Sequence, residues 1–306
     1  MKACLCAIVA LVVGCKATPV AGPVAEPTPS RPDVPSATGV VTIAAAGDIS
    51  DTSIGAQRAT SDLIYNKGFE AVLLLGDNQY PTGAAPDYAR YFDPTWGRFK
   101  SLLRPTPGNH DYYTPAATGY FTYFGTRAGE PDKGYYSYNL GAWHVVALNT
   151  NSSCREVPCN EASAQVAWLK ADLQRNATKC TLAYWHHPRF NSGAQHGDFT
   201  RAHAIWSALY AAGAEVVLNG HEHIYERFEP QDPLGKADLQ KGLQQFTVGT
   251  GGIGFYGVGD AKPNSAVRQA SAFGVLKMTL RPDSYDWEFL PVAPSTFTDK
   301  GSAQCH

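Results

Sequence analysis

Acidic, amide and imidazole side chains recur in this 306-residue chain directly after apolar runs. The run VVTIAAAGD ends in Asp48, and the run AVLLLGD ends in Asp77 with a tyrosine, Tyr80, three residues later. The same pattern returns further along the chain at Asn109, His110, Asp111, His186, His187, His221 and His223. In open α/β sheets the carboxyl ends of the strands line one crevice, so we expect these side chains to meet there. Carboxylates, imidazoles, an amide and a phenol together are typical of a metal site.

Five short blocks, read in order, resemble one known family. The blocks are AAGD at 45–48, GDNQY at 76–80, GNHD at 108–111, AYWHHP at 183–188 and GHEH at 220–223. Together they resemble the calcineurin-like metallophosphoesterases and, within them, the purple acid phosphatases. The resemblance covers roughly residues 40–295. It implies an α/β fold, a four-layer αββα sandwich of two mixed sheets flanked by helices.

The resemblance also implies ligands for two metal ions. Asp77 is expected to bridge the ions. The remaining ligands of the first ion would be Asp48, Tyr80 and His223, and those of the second would be Asn109, His186 and His221. Two cations about 3.5–4 Å apart repel each other, and a shared carboxylate can hold both.

Tyr80 bears on which metals these are. Many relatives place a histidine ligand two residues after the first aspartate, but here Asp48 is followed by Ile49 and Ser50. Tyr80 lies where the purple acid phosphatases supply a phenolate to Fe(III), which gives them a visible colour. The resemblance therefore implies Fe(III) with a divalent ion, either Fe, Zn or Mn. The alternative is an aromatic side chain packed beside a manganese or zinc site.

A phosphate ester hydrolase of this kind needs no side-chain nucleophile. A metal lowers the pKa of bound water from about 15.7 to near neutrality, so a metal-bound hydroxide is expected to attack phosphorus. His110 would stabilise the phosphate or protonate the leaving alcohol, and Asp111 would either orient that ring or cap the loop. His196, in NSGAQHGD, resembles one of two adjacent substrate-binding histidines of the purple acid phosphatases, with Gln195 in place of the other. The role of His187 stays open between a hydrogen bond to the site and packing.

The order of predicted elements fits such a sandwich. Apolar runs at VVTIAAAGD and AVLLLGD predict strands around a helix at 55–67, and SYNLGAWHVVALNT predicts a hairpin. Helices are expected near 162–175 and 201–212, with strands at TLAYWHHP and AEVVLNGHEH and a C-terminal third made of strands. This mixture predicts two sheets packed face to face with helices outside. The run GTGGIG at 249–254 lacks the Lys and Ser/Thr of a phosphate loop and is expected to allow close backbone packing.

The amino-acid composition and the net charge reduce the range of possible functions. The chain is 44% hydrophobic and 17% charged, as in ordinary globular proteins, and its net charge is −2 with no long Lys or Arg run. The basic footprint of a nucleic-acid binder is therefore missing, and no protein partner is inferred. The leading hypothesis is a phosphomonoesterase acting on a small phosphorylated substrate. The alternatives are a phosphodiesterase or nucleotidase on the same metal site, and a non-catalytic surface binding protein.

The N-terminal segment has the features of an export signal. Lys2 precedes an apolar core, Leu5 to Val13, which is shorter than the roughly 20 residues that span a bilayer. Its end resembles a bacterial lipobox, with Gly14 before Cys15. We expect a signal peptide at 1–14, a Pro-rich tether at 15–38 and the domain at 39–306, anchored by lipid on Cys15 to the bacterial cell envelope, in the periplasm or at the cell surface. An ordinary secretory signal cleaved elsewhere is the alternative.

The remaining cysteines suggest disulfides. Once the signal is removed and Cys15 is acylated, four are left, at Cys154, Cys159, Cys180 and Cys305. An even number in an oxidising compartment favours two disulfides. Three pairings are possible, and Cys154 with Cys159 is preferred because it closes a short polar loop, which leaves Cys180 to bond with Cys305. Zinc binding by these four is less favoured, since they contain no CxxC pair.

Overall fold

The computed structural model describes Met1 and residues 33–53, 55–151 and 153–306. The predicted signal peptide, Cys15 and most of the tether lie outside these residues. Within the described ranges, no helix has both the length and the apolar character needed to cross a bilayer.

The described residues form thirteen strands in two mixed sheets, with short helices around them. The strands are β1 Val41–Ala46, β2 Ala71–Leu75, β3 Leu103–Thr106, β4 Tyr136–Leu140, β5 Trp143–Ala147, β6 Cys180–Tyr184, β7 Val216–Asn219, β8 Tyr225–Phe228, β9 Gln244–Val248, β10 Ser265–Gln269, β11 Gly274–Leu280, β12 Ser284–Pro291 and β13 Lys300–Gln304. The α-helices are α1 Ala56–Asp62, α2 Ala85–Asp87, α3 Thr118–Phe124, α4 Ala164–Arg175 and α5 His203–Ala211.

Each sheet combines parallel and antiparallel strands. The six-stranded sheet has the order β13-β12-β11-β1-β2-β3, and β1, β2 and β3 are parallel. The seven-stranded sheet has the order β10-β8-β9-β7-β6-β5-β4, and β5, β6, β7 and β9 are parallel. Because parallel strands end at the same edge, the residues that follow β1, β2, β3, β6 and β7 are brought to one side of the sandwich.

Successive side chains along the strands of the seven-stranded sheet point to opposite faces, so this sheet separates the apolar interior into two layers. Leu182 and Tyr184 of β6 belong to the core between the sheets. Ala183, between them, faces the other way and packs in the layer that holds Leu169 of α4 and Trp206 of α5. This period of two is that of a strand buried on both faces. The four-layer αββα sandwich expected from the sequence is confirmed.

Most of the predicted elements are present, with shifted ends. The hairpin forms between β4 and β5, and the C-terminal third consists of strands, as predicted. Helix α1 ends at Asp62, not near residue 67. Near its end, the Thr60 hydroxyl bonds Gly251 O and the Ser61 hydroxyl bonds Arg58 O, and such side-chain bonds to the backbone favour helix ends and turns.

Both preferred disulfides are present. Cys154 is bonded to Cys159, and Cys180 is bonded to Cys305. The second bond joins the start of β6 to the residue after β13, so it ties the two sheets together at the edge opposite the carboxyl ends of the parallel strands.

Part of the segment predicted to be a tether contacts the folded domain. The backbone N–H of Asn139 donates to the Asp33 carboxylate at 2.8 Å, and Val34 pairs with Leu140. The last residues assigned to the tether therefore contact the domain beside β4.

Candidate metal centre

Four donor atoms that follow three different strands converge at the hydroxyl of Tyr80, which is one of the four. Its hydroxyl oxygen lies 2.9 Å from Asp48 Oδ1, 2.9 Å from Asp77 Oδ2 and 3.1 Å from His223 Nε2. His223 Nε2 is also 3.4 Å from Asp48 Oδ1. We call these four residues the tyrosine set. All of them are buried.

A second group of donor atoms surrounds His186. Its Nε2 atom lies 3.2 Å from Asp77 Oδ2, 3.2 Å from Asn109 Oδ1 and 3.2 Å from His221 Nδ1. We call Asp77, Asn109, His186 and His221 the asparagine set. A single oxygen, Asp77 Oδ2, belongs to both sets. All seven residues proposed as ligands from the sequence are thus brought together, in the two groups expected.

Backbone geometry turns the carboxylates inward. Asp48, Asp77 and His221 all have positive φ, at 58°, 49° and 70°, which is uncommon outside glycine and is found mainly where function maintains it. The N–H of His221 donates to Asp48 Oδ2 at 2.8 Å, and the N–H of His110 donates to Asp77 Oδ1 at 2.7 Å. The other oxygen of each carboxylate is left to face the donor sets.

Two glycines allow the close approach of these elements. Gly76 has φ +88°, and a Cβ there would come within 2.6 Å of His186 Nδ1. In the run GTGGIG, a Cβ on Gly249 would lie 2.1 Å from the carbonyl oxygen of Glu222 and 2.9 Å from Asp48 Oδ2. The sequence-based interpretation of this run as a close-packing segment agrees with these contacts.

The donor atoms of both sets suit a cation. The Nδ1 atoms of His186 and His223 lie 2.9 Å and 2.7 Å from the carbonyl oxygens of Leu75 and Gly254. Because a carbonyl only accepts, each Nδ1 carries the hydrogen. Nε2 is therefore the nitrogen that faces the other acceptors, and in the neutral ring its lone pair is free to bind a cation. Several lone pairs facing one another are stabilised by positive charge between them.

The pKa values around the site reflect the same need for positive charge. Burial acts to lower the pKa of His186, but the nearby Asp77 and Asp48 carboxylates outweigh it and raise that pKa to about 9. Burial, followed by the same two carboxylates, raises the pKa of Tyr80 well above its usual value of 10.0. The donor sets therefore fit metal ions, and a phenolate at Tyr80 would require a strongly acidic one.

His110 flanks the tyrosine set. Its ring packs on Tyr80, with centroids 4.1 Å apart, and against the exposed Tyr113 at 4.6 Å. Its Nδ1 donates to the carbonyl oxygen of Pro81 at 2.7 Å. This leaves Nε2 as the nitrogen that can meet a substrate.

Asp111 does not orient the ring of His110, one of the two roles expected for it. It is fully buried, and its Oδ2 accepts hydrogen bonds from Gly108 N at 2.9 Å and from the Asn78 side chain at 3.0 Å. Its Oδ1 accepts from the Tyr88 hydroxyl at 2.7 Å. Burial and the charge of Asp77 raise its pKa to about 6. Asp111 therefore caps the loop that carries Asn109 and His110, which is the other role considered.

His196 flanks the asparagine set. Its ring lies against that of His221, with centroids 4.1 Å apart and an interplanar angle of 30°. Its side chain is 34% exposed, and its Nδ1 lies 2.9 Å from a carboxylate oxygen of Glu222. Gln195 contributes its backbone N–H to the same carboxylate.

Three further residues belong to the site. His187, whose role the sequence left open, has a ring nitrogen within 4.8 Å of ligand atoms of His186 and His221, and its Nδ1 lies 2.8 Å from Thr150 Oγ1. Tyr256 stacks on His223 at 3.8 Å and is 38% exposed. Sequence reasoning missed Tyr256 and Glu222. Tyr256 could have been found from its place in an aromatic pair directly after the glycine run, and Glu222 from its place between the two histidines of the GHEH block.

This fold and this clustering of ligands define a metallophosphoesterase. The family model for calcineurin-like phosphoesterases matches residues 41–225, and the chain belongs to that family. The match spans all five sequence blocks and includes every proposed ligand.

Within the family, the chain is similar to purple acid phosphatases. It is 31% identical over 235 residues to purple acid phosphatase 18 of Arabidopsis thaliana, covering 69% of this chain and 50% of the relative. A purple acid phosphatase from yellow lupin (Lupinus luteus) seeds superposes with a TM-score of 0.72 at 16% identity, over 90% of this chain and 55% of that one. GAP50, the anchor in the inner membrane complex of Plasmodium, shares the fold with a TM-score of 0.64 at 14% identity, over 85% of this chain and 88% of that one. The chain spans about half the length of the first of these relatives.

Proposed function

We propose that the protein is a dinuclear-metal phosphomonoesterase of the purple acid phosphatase type. The observation that carries this proposal is Asp77 Oδ2, which lies 2.9 Å from Tyr80 Oη of one donor set and 3.2 Å from His186 Nε2 of the other. An anionic oxygen shared by two sets of ligands is the arrangement that holds a pair of cations together.

The tyrosine set would hold Fe(III), and the asparagine set would hold a divalent ion, Fe, Zn or Mn. Carboxylate and phenolate oxygens favour the harder ion, whereas imidazole and amide ligands suit the divalent one. Bound there, the metals would supply Lewis acidity at phosphorus and activate water as the nucleophile.

The side chains around the metals would bind the phosphate and assist the leaving group. His110 lies beside the tyrosine set and His196 beside the asparagine set, each with Nδ1 already bonded to the protein. Their Nε2 atoms are therefore the ones that would meet phosphate oxygens or give a proton to the leaving alcohol. Asp111 acts indirectly, because it shapes the loop that carries His110.

Metal analysis combined with two chromogenic substrates tests this function. Protein purified without added metal is expected to contain two metal ions per chain and to hydrolyse p-nitrophenyl phosphate faster than bis(p-nitrophenyl) phosphate. Faster hydrolysis of the diester would favour the phosphodiesterase alternative. Two bound metals without hydrolysis of either substrate would favour a binding protein.

We further propose that the protein is exported and anchored to the bacterial cell envelope by lipid on Cys15. The lipobox-like end of the signal supports this. The contact of Val34 with Leu140, beside the amino end of β5, also supports it, since a tether attached at that edge leaves the metal centre at the opposite edge. Mass spectrometry of the mature N-terminal peptide tests the anchor, and an unmodified terminus beyond Cys15 would contradict it.

A further inference from the structure

Glu222 lies between two proposed ligands, His221 and His223, yet its carboxylate belongs to neither donor set. The side chain is fully buried. Its Oε2 accepts from the backbone N–H of His196 at 3.1 Å and lies 2.9 Å from His196 Nδ1. The Asn191 side chain also donates to Oε2 at 3.0 Å, and the N–H of Gln195 donates to Oε1 at 3.0 Å.

These four contacts close one loop onto the metal centre. The loop, residues 191–196, touches Glu222 at both ends, and it packs so tightly that a Cβ on Gly193 would come within 2.1 Å of Glu222 Cγ. A buried carboxylate that accepts several hydrogen bonds is a strong local constraint, because removing it would leave those donors unpaired.

The contacts also determine which part of His196 faces outward. Since a carboxylate only accepts, the hydrogen between the two side chains is on His196 Nδ1. The ring rests on His221, and Nε2 is left as the nitrogen that can reach a ligand. An imidazole oriented by a carboxylate behind it is a common arrangement beside metals.

We propose that Glu222 is a positioning residue for phosphate binding: it holds loop 191–196 against the metal centre and presents Nε2 of His196 to the substrate phosphate. This inference rests on the proposed phosphatase function. It links the GHEH block, which supplies two metal ligands, to a loop about 26 residues earlier that supplies a substrate contact.

The test compares Glu222→Gln, His196→Ala and the double variant, using p-nitrophenyl phosphate for kcat and KM and inorganic phosphate for direct binding. A glutamine at 222 keeps the size of the side chain but replaces a carboxylate oxygen with an N–H₂ group, which would face backbone and side-chain donors of loop 191–196. The loop would therefore lose hydrogen bonds that hold it in place. Imidazole ¹H–¹⁵N NMR reports independently whether His196 keeps its hydrogen on Nδ1.

Glu226→Gln is the matched control. Glu226 is also fully buried and accepts one hydrogen bond from Ser192 N at 2.9 Å and one from Ser265 Oγ at 2.6 Å, but none of the hydrogen bonds described for it involves His196 or either end of the loop. It therefore separates the general cost of altering a buried glutamate from the specific loss of His196 positioning.

We expect Glu222→Gln to keep both metals, to weaken phosphate binding and raise KM by about 10- to 100-fold, and to lose the Nδ1 hydrogen signal of His196. The double variant should bind phosphate within about twofold of His196→Ala, because both substitutions remove the same contact. Glu226→Gln should stay within about threefold of wild type in KM, since surrounding bonds still hold His196.

Fully additive effects of the two substitutions, or an equal loss in Glu226→Gln, would overturn the proposal. If Glu222→Gln does not fold, Gly193→Ala decides, because its new methyl group displaces the loop while leaving the carboxylate intact. It should reproduce the weaker phosphate binding, and unchanged binding would refute the role. A wild-type protein that binds phosphate but hydrolyses no ester would count against the proposed function alone, since the binding and NMR measurements remain readable.

Discussion

The protein buries two clusters that contain histidine and aspartate, and they differ in how donors and acceptors are arranged. The first is the metal centre. The second, which we call the hairpin cluster, consists of Ser137, Asn139, His144 and Asp172 and connects the β4–β5 hairpin to α4. In the hairpin cluster Asp172 accepts from the Ser137 hydroxyl at 2.9 Å, and its other oxygen lies 2.7 Å from His144 Nε2.

The hairpin cluster surrounds its carboxylate with groups that can donate, whereas the candidate metal centre brings several acceptor atoms together. Around Asp172 the near groups can all donate, so the carboxylate is satisfied by protein alone. Asp77 Oδ2 lies beside the Tyr80 hydroxyl and His186 Nε2, and this nitrogen also faces the amide oxygen of Asn109 and Nδ1 of His221. The Nδ1 hydrogens of His186 and His223 are used on backbone carbonyls. Both clusters contain histidine and aspartate, so residue type alone does not distinguish them. What distinguishes a structural polar cluster from a metal site is whether the hydrogens of the donors point toward the carboxylates or away from them.

The largest effect is expected from Asp77→Asn. Losing the shared anionic oxygen should release both metals and reduce turnover to background, because the metals supply several kcal/mol of charge stabilisation. Metal content and p-nitrophenyl phosphate hydrolysis measure this. Retention of two metals by the variant would show that Asp77 is not their bridge.

His110→Ala is expected to lose turnover without losing metal. Its ring contacts Tyr80 and Pro81, and no ligand role is assigned to it, so only the proton transfer or phosphate contact is removed. Such a change lowers kcat by about 10²- to 10⁴-fold. Metal analysis alongside kinetics is decisive, since metal loss here would place His110 among the ligands.

Asp172→Asn breaks the hairpin cluster and serves as the counterpart of the Asp77 variant. It should lower the free energy of unfolding by about 1–3 kcal/mol, because buried donors lose a charged acceptor. Metal content and kcat should stay at wild-type values. Denaturant unfolding of the metal-loaded protein measures the change, and a parallel loss of metal would mean that the two clusters are coupled.

The sequence predicted which side chains converge in the two donor sets better than it predicted their surroundings. Asp48, Asp77 and His221 could be identified because each directly follows a buried strand, and parallel strands bring their ends together whatever the loops do. Glu222 and Asp111 could not be assigned in the same way. Their partners come from loops, and loop conformation depends on contacts between residues that are distant in the chain. The contact between His196 and Glu222, which are 26 positions apart, is one of these.

Local features were predicted least well. Helix α1 is shorter than its apolar pattern suggested, since Thr60 and Ser61 bond to backbone carbonyls. Asp33 and Val34, within the predicted tether, also contact β4, which a Pro-rich composition does not reveal. The two disulfides were predicted correctly from spacing and compartment.

The smallest change, Tyr80→Phe, removes one oxygen from the tyrosine set. In the protein alone, burial and the Asp48 and Asp77 carboxylates hold the pKa of this phenol well above 10.0, so it stays protonated at neutral pH. Only a strongly acidic cation such as Fe(III) would ionise it, and the resulting phenolate would colour the protein.

We therefore expect purified wild type to absorb visible light and Tyr80→Phe to be colourless, with the fold intact and kcat within about tenfold, because the carboxylates and imidazoles remain. Tyr256→Phe is the matched control, since it removes a hydroxyl from a ring stacked on His223 and leaves every donor atom of both sets in place, and the colour of this variant should be unchanged. A colourless wild type with two manganese or zinc ions, and a fully active Tyr80→Phe variant, would exclude the iron-phenolate proposal. The metal-bridging role of Asp77 would still stand, because it rests on the convergence of the two donor sets and not on which ion fills the first.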